Sequence, residues 1–258
     1  MSGFRNLRLL ILFGSLILAT VYTVHQFIYS RAWNSPLQVV IYPINGDGTE
    51  HTQHYIDTLT NAHFNDIDQF MAREAKRYQL LLVHPTETRL GSQISQSPPK
   101  LPEDAGPFTS LIWGLKTRWW AYKVTPENDD GWDTVRMYVA YHSGQHVGAL
   151  DHSLGLQKGL MGIVNAFALV SQSKQNNIVI AHELLHTVGA TDKYNAALAP
   201  IYPEGYANPH RNPLYPQRSA EIMAGRIPTS KYASYMAHSL KSVIIGPKTA
   251  KEINWLKD

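Results

Sequence analysis

The sequence contains no cysteine at any of its 258 positions. This absence excludes disulfide bonds, thiolate zinc ligands and a cysteine nucleophile. Charge is sparse as well: charged residues make up 17% of the chain, the formal net charge is only +3, and lysines and arginines form no run. A surface this weakly basic lacks the electrostatic footprint of a DNA- or RNA-binding protein, so we expect no nucleic-acid partner.

A long apolar run lies close to the N-terminus. Arg5 and Arg8 precede an uncharged stretch from Leu9 to Ser30, which is close to the ~20 residues that a helix needs to cross a bilayer. No small-x-small cleavage site follows it, which favours an uncleaved signal anchor over a cleaved signal peptide. The sequence therefore predicts a single transmembrane helix within residues 1–30, with secretion after cleavage as the alternative. With the arginines inside, the rest of the chain would lie on the periplasmic or extracellular side.

Behind this segment, residues 31–36 form a short predicted linker, and residues 37–258 form one domain. Hydrophobic residues make up 44% of the chain, which is typical of a globular protein with a full core. Apolar alternation and helical spacing predict strands over Leu37–Tyr42, Leu80–His84, Thr134–Tyr141, His146–Leu156 and Gly162–Phe167. The same criteria predict helices over His54–Tyr78, Phe108–Lys123 and Ser173–Val188, with an irregular loop over Pro85–Pro107. This order predicts a mixed α/β (α+β) domain.

The last of these helices carries the side chains that can bind a metal ion or transfer a proton. Positions 182–192 read His-Glu-Leu-Leu-His-Thr-Val-Gly-Ala-Thr-Asp. Residues four apart share one face of a helix, so His182 and His186 can direct imidazole nitrogens at one metal ion. Glu183 is rotated by about 100° and can take a proton from a water at the metal. The pattern therefore predicts two metal ligands and a general base.

Two further residues extend the motif. Gly189 can adopt the left-handed conformation that ends a helix. The chain then turns back, and Asp192 can reach the same metal as a third, oxygen ligand. Three protein ligands leave a fourth position open for water, as a catalytic zinc site requires.

The pattern H-E-x-x-H-x-x-G-x-x-D resembles the zinc signature of the metzincin metalloproteases in its aspartate form, as in the snapalysin type. The resemblance implies a metzincin-like catalytic domain with a mixed twisted sheet, a long backing helix and an active-site helix. It also implies a Zn²⁺ cofactor and a peptide or protein substrate. The segment Ala220–Gly225 is similar to the methionine turn of these enzymes, which implies that Met223 supports the site without binding the metal. The strand over His146–Leu156 would then be the sheet edge that aligns an extended peptide.

The sequence departs from this family in the insertion over Pro85–Lys123, in the N-terminal membrane segment and at one motif position, and it leaves alternatives open. Many metzincins have a tyrosine two residues after the turn methionine, where this chain has Gly225; Tyr194 is the candidate transition-state stabiliser in its place. Glu204, His210 or Glu221 could complete the metal site instead of Asp192, and a glutamate there would indicate a gluzincin-type enzyme.

Two other functions also fit the sequence. One is a catalytically weak, membrane-tethered binding protein that keeps a structural metal, although Glu183 argues against it because such a site needs no base. The other is an amidase that acts on cell-wall material.

Overall fold

A five-stranded sheet forms the centre of the domain in this computed structural model, which describes residues 2–100, 102, 106–126, 134–144, 154–156 and 160–257. Its strands are β1 (Leu37–Asn45), β2 (Thr86–Leu90), β3 (Val135–His142), β4 (Leu154–Leu156) and β5 (Met161–Phe167). Their order in the sheet is β2-β1-β3-β5-β4. The first three strands and β5 run parallel, whereas β4 pairs with β5 in the antiparallel sense at one edge. The predicted mixed α/β class is confirmed.

Helices cover both faces of this sheet. Alternate residues of a strand point to opposite faces. On one face, Val39 and Ile41 pack with the helices α2 (Glu50–Asp57), α3 (Asn65–Arg77) and α5 (Ser173–Thr187) in the larger core. On the other, Val40 and Tyr42 pack against α4 (Pro107–Val124) in a smaller core. Because β1 is buried from both sides, its near-continuous apolar sequence is the one expected of an internal parallel strand.

The C-terminal part of the chain is held against α3. It contains two small pairs of strands, β6 (Ala220–Glu221) with β9 (Val243–Ile244) and β7 (Arg226–Pro228) with β8 (Ser234–Met236), followed by the helix α6 (Pro247–Glu252). Arg73 donates to the carbonyl oxygens of Leu240 and Val243 at 3.0 and 2.7 Å. The buried carboxylate of Glu74 accepts from the amide of Ile245 at 2.9 Å.

The N-terminal helix α1 (Ser2–Ser30) projects away from this core. Its segment Asn6–Ser30 is long and apolar enough to cross a membrane or to act as a signal sequence, and its apolar window is not buried by the rest of the chain. The residues that follow α1, predicted as a linker, are bonded to the end of α6. Trp33 Nε1 donates to the carbonyl of Ile253 at 2.7 Å, and Arg31 donates to the carbonyl of Glu252.

The prediction of one continuous helix over His54–Tyr78 is wrong. Two helices, α2 and α3, occupy the region, separated by a turn and a short 3-10 segment, Asn61–Phe64. The break has a local cause: the Thr60 amide bonds to His63 Nδ1 at 3.0 Å, and the two residues form a capping box that starts a new helical segment. Apolar spacing alone did not reveal this interruption.

The strand predicted over Leu80–His84 is also wrong, because the second strand lies at Thr86–Leu90, inside the segment predicted as a loop. Leu81 is fully exposed, whereas Leu80 and Leu82 pack on the core from an irregular segment. Asp68 of α3 fixes the true strand: its carboxylate accepts from the hydroxyl groups of Thr86 and Thr88 at 2.7 Å each and from the amide of Thr88 at 2.9 Å.

The other predicted elements agree with the structure within a few residues. The helices predicted over Phe108–Lys123 and Ser173–Val188 are α4 and α5, and the strands predicted over Thr134–Tyr141 and Gly162–Phe167 are β3 and β5. Of the strand predicted over His146–Leu156, residues 146–153 lie outside the described residues. Its end, Leu154–Leu156, forms β4 at the sheet edge.

The role of Asp68 gives a stability prediction. Asp68→Ala removes three hydrogen bonds that attach β2 to α3, and we expect the free energy of unfolding to fall by about 2–3 kcal/mol. Denaturant unfolding of the detergent-solubilised chain measures it. Asp66→Ala is the matched control, because both carboxylates lie in the first turn of α3 and interact alike with its dipole. Equal losses in the two variants would contradict this role.

Candidate metal centre

The helix α5 is fixed to the sheet before its functional residues begin. The side-chain amide of Asn176 forms two hydrogen bonds with the backbone of Phe167 at the end of β5, with distances of 2.9 and 3.2 Å. Asn177 donates to the carbonyl of His63 at 2.7 Å. These bonds lock the first turns of α5 and thereby set the direction in which its later side chains point.

Three side chains converge beyond the middle of α5. His182 Nε2, His186 Nε2 and Asp192 Oδ1 lie 3.1 Å from one another in each of the three pairs. Among the described residues, they are the group of histidine and acidic side chains close enough to hold one metal ion. Ligands at 2.0–2.1 Å around a tetrahedral zinc are separated by roughly 3.3 Å, so the spacing fits this metal.

The other nitrogen of each imidazole fixes which atom faces this cluster. His182 Nδ1 lies 3.0 Å from the carbonyl of Ile222, and His186 Nδ1 lies 2.8 Å from the carbonyl of Ala190. A carbonyl oxygen only accepts, so both Nδ1 atoms carry the proton. Both Nε2 atoms therefore face a carboxylate oxygen, and in a neutral ring each of them carries a lone pair. Three acceptors that converge in this way fit a bound cation.

The end of α5 brings Asp192 to the histidines. Gly189 has a φ of +108°, which is unfavourable for residues with a side chain. Its amide bonds to the carbonyl of His186, and the amide of Ala190 bonds to the carbonyl of Leu185. This is the Schellman pattern of a helix end. The same turn presents the Ala190 carbonyl to His186 and sends the chain back across the helix end.

A buried ion pair supports the residues on either side of Asp192. Lys193 Nζ lies 2.8 Å from a carboxylate oxygen of Glu252 in α6, and it also donates to the carbonyl of Thr191 at 2.6 Å. The Glu252 carboxylate accepts in turn from the amide and hydroxyl groups of Thr191 at 3.0 and 2.9 Å. Burial alone would raise the pKa of Glu252, but the hydrogen bonds from Lys193 and Thr191 bring this pKa below its ordinary value.

The turn that contains Met223 lies directly beneath the histidines. Met223 is fully buried, its carbonyl accepts from the amide of Lys193 at 3.0 Å, and the preceding carbonyl of Ile222 accepts from His182. The turn therefore contacts His182 and the residue that follows Asp192. The role of Met223 as a structural support stays a prediction.

Glu221 organises this turn from within. Its carboxylate is completely buried and accepts four hydrogen bonds, from the amides of Met223, Ala224 and Gly246 and from the hydroxyl of Thr249. Burial raises the pKa of Glu221 and outweighs the opposing effect of these donors. Since its oxygens are occupied in this way, Glu221 is not part of the ligand cluster.

Glu183 and Tyr194 complete the surroundings of the cluster. Glu183 is buried, and its Cβ lies against Gly162 of β5. The Tyr194 ring stacks on His182 with a centroid separation of 6.2 Å. Burial, followed by the negative charge of Asp192, raises the pKa of Tyr194 to about 12, so its phenol is a proton donor at neutral pH.

The electrostatics of the cluster favour positive charge. Burial raises the pKa of Asp192, but the two histidines more than reverse this effect and hold it below its usual range. Burial lowers the pKa of His182, yet the hydrogen bond to Asp192 and the charge of Glu183 leave it raised. The side chain of Asp192 is 42% exposed, whereas those of His182 and His186 are 12% and 17% exposed. The cluster therefore opens to solvent on the Asp192 side.

The structure thus brings together His182, Glu183, His186, Asp192 and Tyr194, and it places Gly189 at the end of α5 and Met223 in the neighbouring turn. The alternative ligands Glu204 and His210 lie outside the cluster. Sequence reasoning missed the Lys193–Glu252 pair, because nothing local connects residues so far apart in the chain. It also missed the hydrogen bond from His186 to the carbonyl of Ala190. The glycine that ends the helix could have indicated this bond.

The four bonds to Glu221 give a test of its structural role. In Glu221→Gln, an amide NH₂ group must face donors in place of a carboxylate oxygen, so we expect the metal-free protein to lose about 2–4 kcal/mol of stability. Denaturant unfolding in the presence of a chelator measures this loss. The control is Glu204→Gln, the same change at an exposed site. A ligand role for Glu221 predicts little effect without metal, and that result would contradict ours.

The lowered pKa of Glu252 predicts a pH dependence. The contribution of this carboxylate is complete above its unfolded-state pKa of about 4.3, and it is lost as the pH falls through the lower folded-state pKa. We therefore expect the stability difference between the unmodified chain and Glu252→Gln to be largest above about pH 5 and to shrink towards about pH 3. Chelator-treated samples unfolded at several pH values would measure it; a constant difference would exclude the ionised carboxylate as the cause.

Neither a protein-family model nor a curated protein matches this sequence. The interpretation of the centre therefore depends on its own geometry and donor chemistry.

Proposed function

We propose that this chain is a membrane-anchored, zinc-dependent endopeptidase of the metzincin type. His182, His186 and Asp192 would hold the zinc ion, and Glu183 would act as the general base. One observation carries the proposal: three ligand atoms lie 3.1 Å apart, and both histidines direct their Nε2 atoms to the same point on the helix that also carries Glu183.

The donor set favours a catalytic over a purely structural metal. Structural zinc sites are usually closed by four protein ligands, whereas catalytic sites have three and keep one position for water. Here three protein atoms converge, and the partly exposed Asp192 leaves solvent access. A zinc ion bound there would supply a Lewis acid that polarises a carbonyl group and makes a nearby water acidic near neutral pH.

The chain's own groups account for the proton transfers of amide hydrolysis. The carboxylate of Glu183 takes a proton from the attacking water and passes it to the nitrogen of the leaving amine. The phenol of Tyr194, which is protonated at neutral pH, donates a hydrogen bond to the oxygen that develops negative charge. The carbonyls of Ile222 and Ala190 hold the two imidazoles in orientation.

The sheet edge supports an extended peptide as substrate. Among the described residues, the strand β4 pairs with β5 on one side and ends the sheet on the other. It also lies beside α5, the helix of the ligands. A peptide that adds to this edge as a further strand would run past the metal centre. A peptide bond is therefore favoured over the amide bonds of cell-wall material.

The N-terminal helix supports a location at the membrane. We propose that α1 remains uncleaved as a signal anchor and that the domain lies on the extracytoplasmic side. The contacts of Arg31 and Trp33 with the end of α6 support an intact chain, because cleavage behind α1 would free or remove a segment that the domain binds.

Metal analysis combined with two substitutions tests the proposed function. We expect one zinc per chain in the purified full-length protein and in Glu183→Gln, and loss of zinc in Asp192→Ala. Cleavage of an unfolded protein substrate should fall by about 10²–10⁴-fold in Glu183→Gln, because the base is removed while the metal stays. Glu204→Gln is the matched control and should keep both properties.

Other outcomes would identify the alternatives. Zinc retained in Asp192→Ala would move the third ligand to a downstream residue and favour a gluzincin-type enzyme. Full cleavage by Glu183→Gln would exclude this residue as the base. Folded protein that binds zinc without cleaving any substrate would indicate a tethered binding protein.

A further inference from the structure

The helix α4 presents an apolar stripe to the outside of the domain. Its members are large, between 60% and 75% exposed, and spaced by three or four residues, so that they share one side of the helix: Phe108, Leu111, Leu115, Trp119 and Tyr122. Soluble domains seldom leave such a contiguous apolar surface uncovered, and it marks an interaction site when they do. We refer to these five residues as the α4 stripe.

The opposite side of α4 already provides its attachment to the domain. Trp120 packs edge-on against Tyr138 with a centroid separation of 4.7 Å, and Ala121 joins the same small core. Trp113 Nε1 donates to the carbonyl of Pro99 at 2.9 Å. The α4 stripe is therefore not part of the core of the domain. Helices that are apolar on both sides are usually buried on both sides, so we expect the stripe to be covered as well.

The charges around the α4 stripe favour a lipid surface as its cover. The sequence of α4 contains no acidic residue, and two exposed lysines, Lys116 and Lys123, lie along one border of the stripe. The ammonium group of Lys123 lies 5.3 Å from the Trp119 ring. Tryptophan, tyrosine and lysine together are the residues that helices lying in a membrane interface use against anionic headgroups.

The N-terminal helix would bring a bilayer close to the domain. Residues 31–36 could extend by at most roughly 20 Å, and Arg31 and Trp33 are themselves bonded to α6. A domain held this close meets the bilayer at a high effective concentration, so a surface too weak to bind alone becomes occupied. The helix has 18 residues and could cover about 27 Å of interface at 1.5 Å per residue.

From these observations we propose that the α4 stripe docks into the headgroup region of the bilayer that α1 crosses. The domain would then be held at two places, by the transmembrane helix and by the α4 stripe in the interface. This inference rests on the anchor part of the proposed function and is independent of peptide hydrolysis.

Single cysteines provide a specific test, because the chain contains none. Tyr122→Cys on the α4 stripe and the control Tyr232→Cys, another exposed tyrosine in the turn between β7 and β8, are labelled with an environment-sensitive fluorophore in the full-length protein. Leu18→Cys in α1 reports on the anchor. Each protein is placed, one chain per particle, in nanodiscs of phosphatidylcholine and phosphatidylglycerol with or without nitroxide-labelled lipid.

We expect nitroxide lipid to quench the label at position 122 by about twofold or more, as for a group at headgroup depth, and to leave position 232 unaffected. Equal quenching at 122 and 232, or a label at 122 that aqueous iodide reaches freely, would overturn the proposal. Protection from iodide at 122 without lipid quenching would overturn it in favour of a protein cover. Quenching at 18 without quenching at 122 would overturn the docking but leave the anchor intact, and no quenching at either position would overturn both.

Discussion

Two hydrogen bonds from imidazole to backbone carbonyl determine what the centre can do. The carbonyls of Ile222 and Ala190 accept hydrogen bonds from Nδ1 of His182 and His186 and so turn both Nε2 atoms towards Asp192. If either carbonyl moved, the ring would be free to rotate or to exchange its tautomer, and the three acceptors would no longer converge. The turns around the site fix the positions of these two carbonyl groups.

The two carbonyls are held by different means. Ala190 is positioned locally, by the helix-ending turn at Gly189 whose two backbone bonds leave little freedom. Ile222 is positioned at long range, by a turn wrapped around the buried carboxylate of Glu221. A buried carboxylate is costly unless donors satisfy it. The four donors that satisfy Glu221 come from the turn itself and from the start of α6, so the same carboxylate joins these two parts of the chain.

This difference explains which parts of the site were predictable from the sequence. His182, Glu183, His186, Gly189 and Asp192 lie within eleven consecutive positions, where helical periodicity and one glycine determine their relative placement. The Lys193–Glu252 pair and the bonds of Glu221 join residues that are distant in sequence, and no local pattern encodes such partners. The same holds for the fold. The strands that are buried from both sides could be predicted from their apolar sequence. The position of β2 could not, because it depends on hydrogen bonds from Thr86 and Thr88 to Asp68 in another element, whereas the prediction followed the more apolar leucines before them.

The attachment of Arg31 and Trp33 to α6 has a mechanical consequence. The helix α6, which binds the segment behind α1, also carries Glu252, which bonds to Thr191 and Lys193 beside Asp192. The N-terminal helix and the candidate metal centre are thus connected through α6. If α1 crosses a bilayer, the centre stands at a set height above it. The enzyme that we propose would then cleave polypeptide substrates only where they pass at that distance from the membrane, and it would leave the same sequence intact elsewhere.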